Sequence, residues 1–150
     1  MTAHADHAFT IGYTKSTAEH FFARLSRAGV RRLIDIRASN RSQLAGFAKM
    51  PDLAFFLKSI AGIAYHAEPV LVPPVEMMRD YRKGLLGWED YQAQYLALLA
   101  ARGAGTELAP EGFDRGCLLC SEPVADHCHR RLAAEYLQSS WPGGARIVHL

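Results

Sequence analysis

The sequence lacks the features that mark secreted, membrane-spanning or strongly basic proteins. Its first ten residues, MTAHADHAFT, contain no apolar run, so we expect neither a signal peptide nor a membrane-spanning segment. It has no dense stripe of lysine and arginine, and its formal net charge is only +2, which makes nucleic acid the less favoured partner. We find no internal repeat and no low-complexity segment. These absences favour a folded, soluble protein of the cytoplasm.

Cysteine is scarce as well, and the few that exist lie close together. The chain has three cysteines, an odd number that favours free thiols in a reducing compartment. All three fall within residues 116–131, GCLLCSEPVADHCHRR. Residues 116–120 are apolar enough for a buried strand, and Asp126 is a candidate N-cap for the helix that follows. The cysteines and their polar neighbours therefore lie where the predicted strand ends and the next helix begins.

Strand and helix signals alternate along the whole chain. Apolar runs predict strands over 9–13, 32–36, 63–67, 116–120 and 146–150. Helical spacing predicts helices over 17–28, 51–61, 76–83, 88–101 and beyond Asp126. The alternation predicts one α/β domain over residues 1–150, a three-layer sandwich with a mostly parallel sheet of about five strands.

Carboxylates stand near the ends of two predicted strands, where an open parallel sheet binds its ligands. Asp35 interrupts the apolar strand LIDI and needs a partner there. It can pair structurally with Arg37 or serve in a site, and we favour the site. Glu122 can act as a general acid or base, or it can cap the next helix or pair with Arg130. We expect Asp35 and Glu122 to be catalytic, and to share one concavity.

Arginines near the same strand ends suggest an anion site. Arg130 lies in the first turn of the last helix, where the backbone N–H groups and the guanidinium both attract negative charge. We expect Arg130 and Arg37 to hold a phosphate or sulfate beside residues 127–130. We expect Tyr13, Ser16 and Cys128 to complete the binding residues, while Arg131 is a solvated surface charge.

The three cysteines allow several interpretations of their role. Cys120 can be a nucleophile with His129 as its base, or a small buried hydrophobe beside a core histidine. Cys117 is expected in the core. Zinc on Cys117, Cys120 and Cys128, with His127 or His129, is less favoured because residues 117 and 120 of a strand point to opposite faces. The Cys-x5-Arg cradle of a thiol phosphatase is absent, and we assign no metal ligand and no cofactor.

Five segments together resemble the domain-of-unknown-function 488 family. They are TIGYTKST at 10–17, LIDIRASNRS at 33–42, GIAYHAEPVL at 62–71, LLCSEPVADHCHRRLAAEYL at 118–137 and IVHL at 147–150. The fourth segment contains the family's C-x-E-x5-CHR signature. The chain departs from the family at Tyr13, where histidine is usual, and at 70–75, VLVPPV, where Leu-Gly-Gly is frequent. The resemblance implies a compact α/β fold with a polar cluster at one edge, and no established reaction.

The function that we favour from the sequence is a small enzyme for a phosphate-bearing or nucleotide-like ligand at the carboxyl edge of the sheet. It would be a hydrolase or transferase with acid–base carboxylates, and Cys120 and His129 would belong to its catalytic residues. Two alternatives stay open: a metal- or ligand-binding module without turnover, and a nucleic-acid-associated accessory protein. The sequence predicts a small anionic ligand, no membrane partner, and no particular oligomeric state.

Overall fold

The computed structural model describes residues 7–41, 45–122 and 125–150, and its centre is one parallel sheet. The strands are β1 (His7–Gly12), β2 (Arg32–Asp35), β3 (Ala64–Ala67), β4 (Gly116–Cys120) and β5 (Arg146–His149). Their order is β3-β2-β4-β1-β5, and each neighbouring pair is parallel. The predicted α/β fold with about five mostly parallel strands is therefore confirmed. Residues 1–6, which bear on the expected absence of a signal peptide, lie outside the described ranges.

Helices connect the strands and cover both faces of the sheet. They are α1 (Ala18–Ala28), α2 (Asp52–Phe56), α3 (Val75–Arg82), α4 (Trp88–Ala101), α5 (Ala104–Glu107) and α6 (His129–Ser140). A π-helical turn, Leu57–Ala61, extends α2, and short 3-10 turns lie at Gly46–Ala48, Pro69–Leu71 and Pro110–Gly112. In the described ranges, no helix has both the length and the apolar character needed to cross a bilayer.

The first helix shows how local sequence sets these elements. The Thr17 side chain accepts a hydrogen bond from the His20 backbone N–H and so caps α1 at its start. Phe21, Phe22 and Leu25 recur at helical spacing and are buried. Gly29 ends α1 in the left-handed conformation, with φ at 74°, where a side chain would be strained.

Successive residues of the central strand β4 face two different apolar cores. Cys117 and Leu119 pack in the core beneath α1 and α2, while Leu118 packs in the core with residues of α4 and α6. Cys120 lies on the α6 side, where it meets Cys128. Cys117 is fully buried, and its pKa is raised because burial disfavours the thiolate. The expectation that 117 and 120 point to opposite faces is confirmed, and so is the core position of Cys117.

The start of α6 differs from the sequence prediction. The helix begins at His129, and Cys128 occupies the N-cap position without a side-chain capping bond. Asp126 is exposed in the preceding turn, so its predicted capping role is wrong. The connection from β4 is longer than expected because residues 125–128 form a turn before the helix starts, and this turn brings Cys128 back over the end of β4.

Candidate functional site

A cavity of about 170 Å³ opens at the carboxyl end of β4. One wall comes from the end of β4 and the start of α6, and it presents Cys120, Glu122, His127, Cys128 and His129. The facing wall comes from α3 and α4, and it presents Met78, Tyr81, Arg82 and Tyr91. The topology creates this site because β4 lies in the middle of a parallel sheet, where ligand sites form beyond the carboxyl ends of the strands.

Two cysteine sulfurs meet beside this cavity. The Sγ atoms of Cys120 and Cys128 are 2.6 Å apart, and each residue is only 2% exposed. Both thiols are free, and the separation is about 0.6 Å longer than an S–S bond. Cys120 and Cys128 lie in one segment of the sequence, and the turn before α6 brings their sulfurs into contact.

His129 lies next to the sulfur pair with a defined tautomer. Its Nε2 is 2.8 Å from the carbonyl oxygen of Ile36, and its Nδ1 is 3.9 Å from Cys120 Sγ. A carbonyl oxygen can only accept a hydrogen bond, so Nε2 carries a proton in either charge state of the ring. Nδ1 is then the nitrogen that takes up or releases a proton beside the thiol.

The surroundings favour a thiolate on Cys120. Burial alone would raise its pKa, but the hydrogen bond from Cys128, the charge of His129 and the backbone N–H of Glu122 together bring the pKa of Cys120 well below its usual value. Burial and the neighbouring Cys120 raise the pKa of the Cys128 thiol. Burial lowers the pKa of His129, but the negative charge of Cys120, the hydrogen bond to Cys120 and the hydrogen bond to Ile36 together outweigh it, and the net shift is upward. The three groups therefore favour a thiolate, a thiol and an imidazolium.

An aromatic stack supports the cavity on the α4 side. The Trp88 ring stacks on His127 with centroids 4.8 Å apart and on Tyr91 with centroids 5.6 Å apart. Burial raises the pKa of Tyr91, and the acidic groups nearby, among them Cys120 and Glu122, raise it further, so its hydroxyl stays protonated. Sequence analysis missed this wall, because helical spacing predicted a helix over 88–101 but gave no signal for which strand end the helix covers.

Arg130, predicted as an anion ligand, is directed into the protein. It is 1% exposed, its Nε donates to Thr10 Oγ1 at 3.2 Å, and an Nη donates to the backbone oxygen of Glu122. Thr10 Oγ1 in turn lies 2.6 Å from Nδ1 of His149. Arg130 thus links β1 to the turn after β4, and its Nη1 lies 3.9 Å from Cys128 Sγ.

Asp35 and Arg37 lie together, but beside a different pocket. Arg37 donates to both carboxylate oxygens of Asp35, each at 2.9 Å, and to the carbonyl of Ala48 at 2.7 Å. The Tyr65 hydroxyl donates to Asp35 at 2.5 Å, and burial followed by the Asp35 hydrogen bond raises the pKa of Tyr65 to about 12. Asp35 and Arg37 line a pocket that also includes Glu68. The residues expected in one concavity are therefore divided between two.

Tyr13 and Ser16, also predicted as binding residues, lie outside the cavity beside Cys120. The Tyr13 ring is buried, with the Arg37 guanidinium 5.3 Å from its centroid. Ser16 hydrogen-bonds to the backbone oxygen of Thr17 and accepts from Arg24. Neither residue lines the cavity beside Cys120. In the segment 13–16, the residue that lines this cavity is Thr14.

The same cluster contains donors suited to a soft metal ion. Sγ of Cys120, Sγ of Cys128 and a ring nitrogen of His129 lie within 4.8 Å of one another. Tetrahedral zinc with bonds of about 2.3 Å to sulfur would hold its two sulfurs about 3.8 Å apart. The observed 2.6 Å is shorter than that spacing and longer than an S–S bond, so it shows that the two sulfurs are adjacent and does not by itself decide between a metal pair and a dithiol pair.

The fold and this cavity define a small parallel α/β protein with a buried dithiol and a histidine at the carboxyl edge of its sheet. Comparison with protein families adds that the chain belongs to the family described as Domain of unknown function DUF488, which matches residues 17–137. The family resemblance of the sequence is thereby confirmed. Searches of curated proteins and of solved structures gave no match.

Proposed function

We propose that this protein is a small thiol-dependent oxidoreductase in which Cys120 and Cys128 alternate between a dithiol and a disulfide. The observation that carries the proposal is the 2.6 Å contact between the two sulfurs beside a cavity, with His129 Nδ1 3.9 Å from Cys120. A nucleophilic thiolate with a second thiol in contact is the arrangement that thiol–disulfide exchange uses.

The first step is attack on the substrate. The Cys120 thiolate attacks one sulfur of a substrate disulfide, forms a mixed disulfide, and expels the other substrate sulfur as a thiolate. The imidazolium of His129 stabilises the attacking thiolate, and its Nδ1 proton can pass to the departing thiolate. Cys120 is the better nucleophile of the pair because its thiolate is the stabilised one.

The second step closes the disulfide of the protein. Once Cys120 is bonded to substrate it no longer carries the negative charge that holds the proton on Cys128. Cys128 then loses its proton, most directly to neutral His129, and attacks Cys120 Sγ. The second substrate thiol leaves, and the protein holds a Cys120–Cys128 disulfide. An external dithiol reductant must supply two electrons and two protons to regenerate the reduced form.

The broader hypothesis from the sequence, an enzyme for a phosphate-bearing or nucleotide-like ligand, has less support. Its two anion ligands, Arg37 and Arg130, donate to oxygens within the protein. Its two carboxylates, Asp35 and Glu122, line separate pockets. The cysteine and histidine part of that hypothesis is the part that the geometry favours.

Oxidation of the purified protein tests the proposal. Treatment with a small disulfide should lower the mass by two hydrogens, and peptide mapping should find Cys120 joined to Cys128. Cys117→Ser should oxidise as the wild type does, because Cys117 lies on the other face of the sheet. Cys120→Ser and Cys128→Ser should each stop at a mixed disulfide or remain unmodified.

Two results would overturn this assignment. One is reduced protein that keeps both thiols in excess disulfide while its fold is intact. The other is one equivalent of zinc retained through purification and released only when Cys120, Cys128 or His129 is replaced, which would favour the metal-binding module instead.

A further inference from the structure

The size of the cavity and the depth of its sulfurs restrict the substrate. Cys120 and Cys128 are each only 2% exposed, and the space beside them is about 170 Å³. A disulfide in a folded protein carries bulky chain on both sides of each sulfur, and it cannot bring a sulfur to such depth. A thin molecule of low molecular weight can.

The cavity also carries two opposite charges. Arg82, at the end of α3, and Glu122, just beyond β4, both line it, and both are exposed. Neither side chain has an ion pair with a residue in the described ranges. Arg82 differs in this from its neighbour Arg79, which lies 3.6 Å from Asp80. One cation and one anion are thus available to a ligand.

Part of the cavity wall is apolar. Met78 and Tyr81 line the cavity from α3, and the Tyr91 hydroxyl lies 3.6 Å from the sulfur of Met78. Such a wall accommodates methylene groups and divalent sulfur, because methionine and aromatic rings both contact sulfur favourably. A ligand that matches the whole cavity has a short apolar sulfur-containing body and a polar end with both charges.

From these observations we propose that the substrate is a small disulfide of the amino-acid type, with an ammonium group at Glu122, a carboxylate at Arg82 and its disulfide at Cys120. This inference rests on the proposed dithiol function and names the substrate class of that same site. The two unpaired charges give the recognition, and the buried sulfurs give the chemistry.

Four small disulfides separate the contributions of the two charges. Cystine carries ammonium and carboxylate groups, cystamine only ammonium, dithiodipropionate only carboxylate, and bis(hydroxyethyl) disulfide neither. The measurement is the rate constant for oxidation of the fully reduced protein by each compound. Each rate is divided by the rate at which the same compound oxidises free dithiothreitol, which removes differences in intrinsic reactivity.

The normalised rate should be highest for cystine, by about fivefold or more over each compound that lacks one charge, as a charged hydrogen bond in a partly enclosed site implies. Arg82→Gln should remove the advantage of cystine over cystamine, and Glu122→Gln its advantage over dithiodipropionate. Arg79→Gln is the matched control, a nearby cation of the same helix that does not line the cavity, and it should leave all four rates unchanged.

Failure of this inference can be told from failure of the function itself. If all four compounds oxidise Cys120 and Cys128 at equal normalised rates, the dithiol function stands and the amino-acid assignment falls. The assignment also falls if Arg82→Gln slows all four alike, or if reduced protein cleaves the disulfides of insulin as fast as it reacts with cystine. If none of the compounds forms the Cys120–Cys128 disulfide, the function itself falls.

Discussion

The Nε2 atom of His129 lies 2.8 Å from the carbonyl oxygen of Ile36, and this hydrogen bond joins the first residue of α6 to the end of β2. The two residues are 93 positions apart in the chain. Because the carbonyl fixes the proton on Nε2, the other nitrogen is directed to Cys120. One backbone oxygen therefore sets both the orientation of the ring and the nitrogen that can exchange a proton with the thiol.

Alkylation of Cys120 should continue at a pH where an ordinary thiol is protonated. Its pKa is depressed in the folded protein, so the reactive thiolate persists as the pH falls and disappears only below the shifted pKa. The rate of iodoacetamide labelling, followed by peptide mass spectrometry in reduced protein, measures this. Cys117 is the internal control and should remain unlabelled until the protein unfolds, because it is fully buried and its pKa is raised. Labelling of Cys117 before Cys120 would contradict this assignment.

His129→Gln should raise the pKa of Cys120 toward that of a free thiol. The glutamine side-chain amide can still donate to the Ile36 carbonyl, but it carries no positive charge next to the sulfur. The midpoint of the labelling profile should therefore move to higher pH while the melting temperature changes little. His129→Leu is the comparison variant. It loses both the charge and the hydrogen bond to Ile36, so it should shift the profile and lower stability as well. If folded His129→Gln had the same labelling profile as the wild type, the His129 imidazolium would not be what lowers the pKa of Cys120.

The sequence predicts the sheet better than it predicts the site, for physical reasons that individual residues illustrate. The strands are apolar runs between turn signals, and such runs have few alternatives in a chain of this size. Cys120, Cys128 and His129 could be named because they lie in one segment. Their contact depends on the turn after β4. The capping pattern predicted that the helix starts after Asp126, whereas α6 starts at His129.

The remaining parts of the site come from packing between distant elements. Arg82 and Tyr81 reach the cavity because α3 packs near α4, and no local pattern records that contact. Arg130 was expected to hold an anion because it lies in the first turn of the last helix. It is buried because Thr10 and the Glu122 carbonyl offer it oxygen acceptors.

Asp35→Asn should destabilise the fold strongly, by about 3–5 kcal/mol in the free energy of unfolding, because it leaves the buried Arg37 without a compensating charge. Urea denaturation measures the loss. Tyr65→Phe removes one hydrogen bond to the same carboxylate and should cost only about 1 kcal/mol. If Asp35→Asn were as mild as Tyr65→Phe, the Asp35–Arg37 pair would have no major role in stability.

Arg130→Ala should also act chiefly on stability. It removes two charged hydrogen bonds made by a buried side chain, one to Thr10 and one to the Glu122 carbonyl, which implies about 3 kcal/mol and a fall in melting temperature of about 6–12 °C. Arg131→Ala is the neighbouring control. Its partner Glu135 is exposed and 3.6 Å away, so less than about 1 kcal/mol should be lost. A stable Arg130→Ala protein that had lost affinity for inorganic phosphate would instead support the anion role expected from the sequence.

Gly12→Ala should disturb the dithiol without touching either sulfur. A Cβ atom on Gly12 would stand 1.5 Å from the backbone oxygen of Glu122 and 2.7 Å from Arg130 Nη1, so the turn after β4 must move. That movement withdraws the Glu122 N–H from Cys120, and we expect a higher pKa for Cys120 and slower alkylation near neutral pH. Overpacking of this kind typically costs about 1–3 kcal/mol of stability.

Gly46→Ala is the matched control, because no atom lies within 4 Å of its added Cβ. It should change neither the alkylation rate of Cys120 nor the stability of the protein. Equal alkylation rates in Gly12→Ala and wild type would show that the turn after β4 does not control the thiolate.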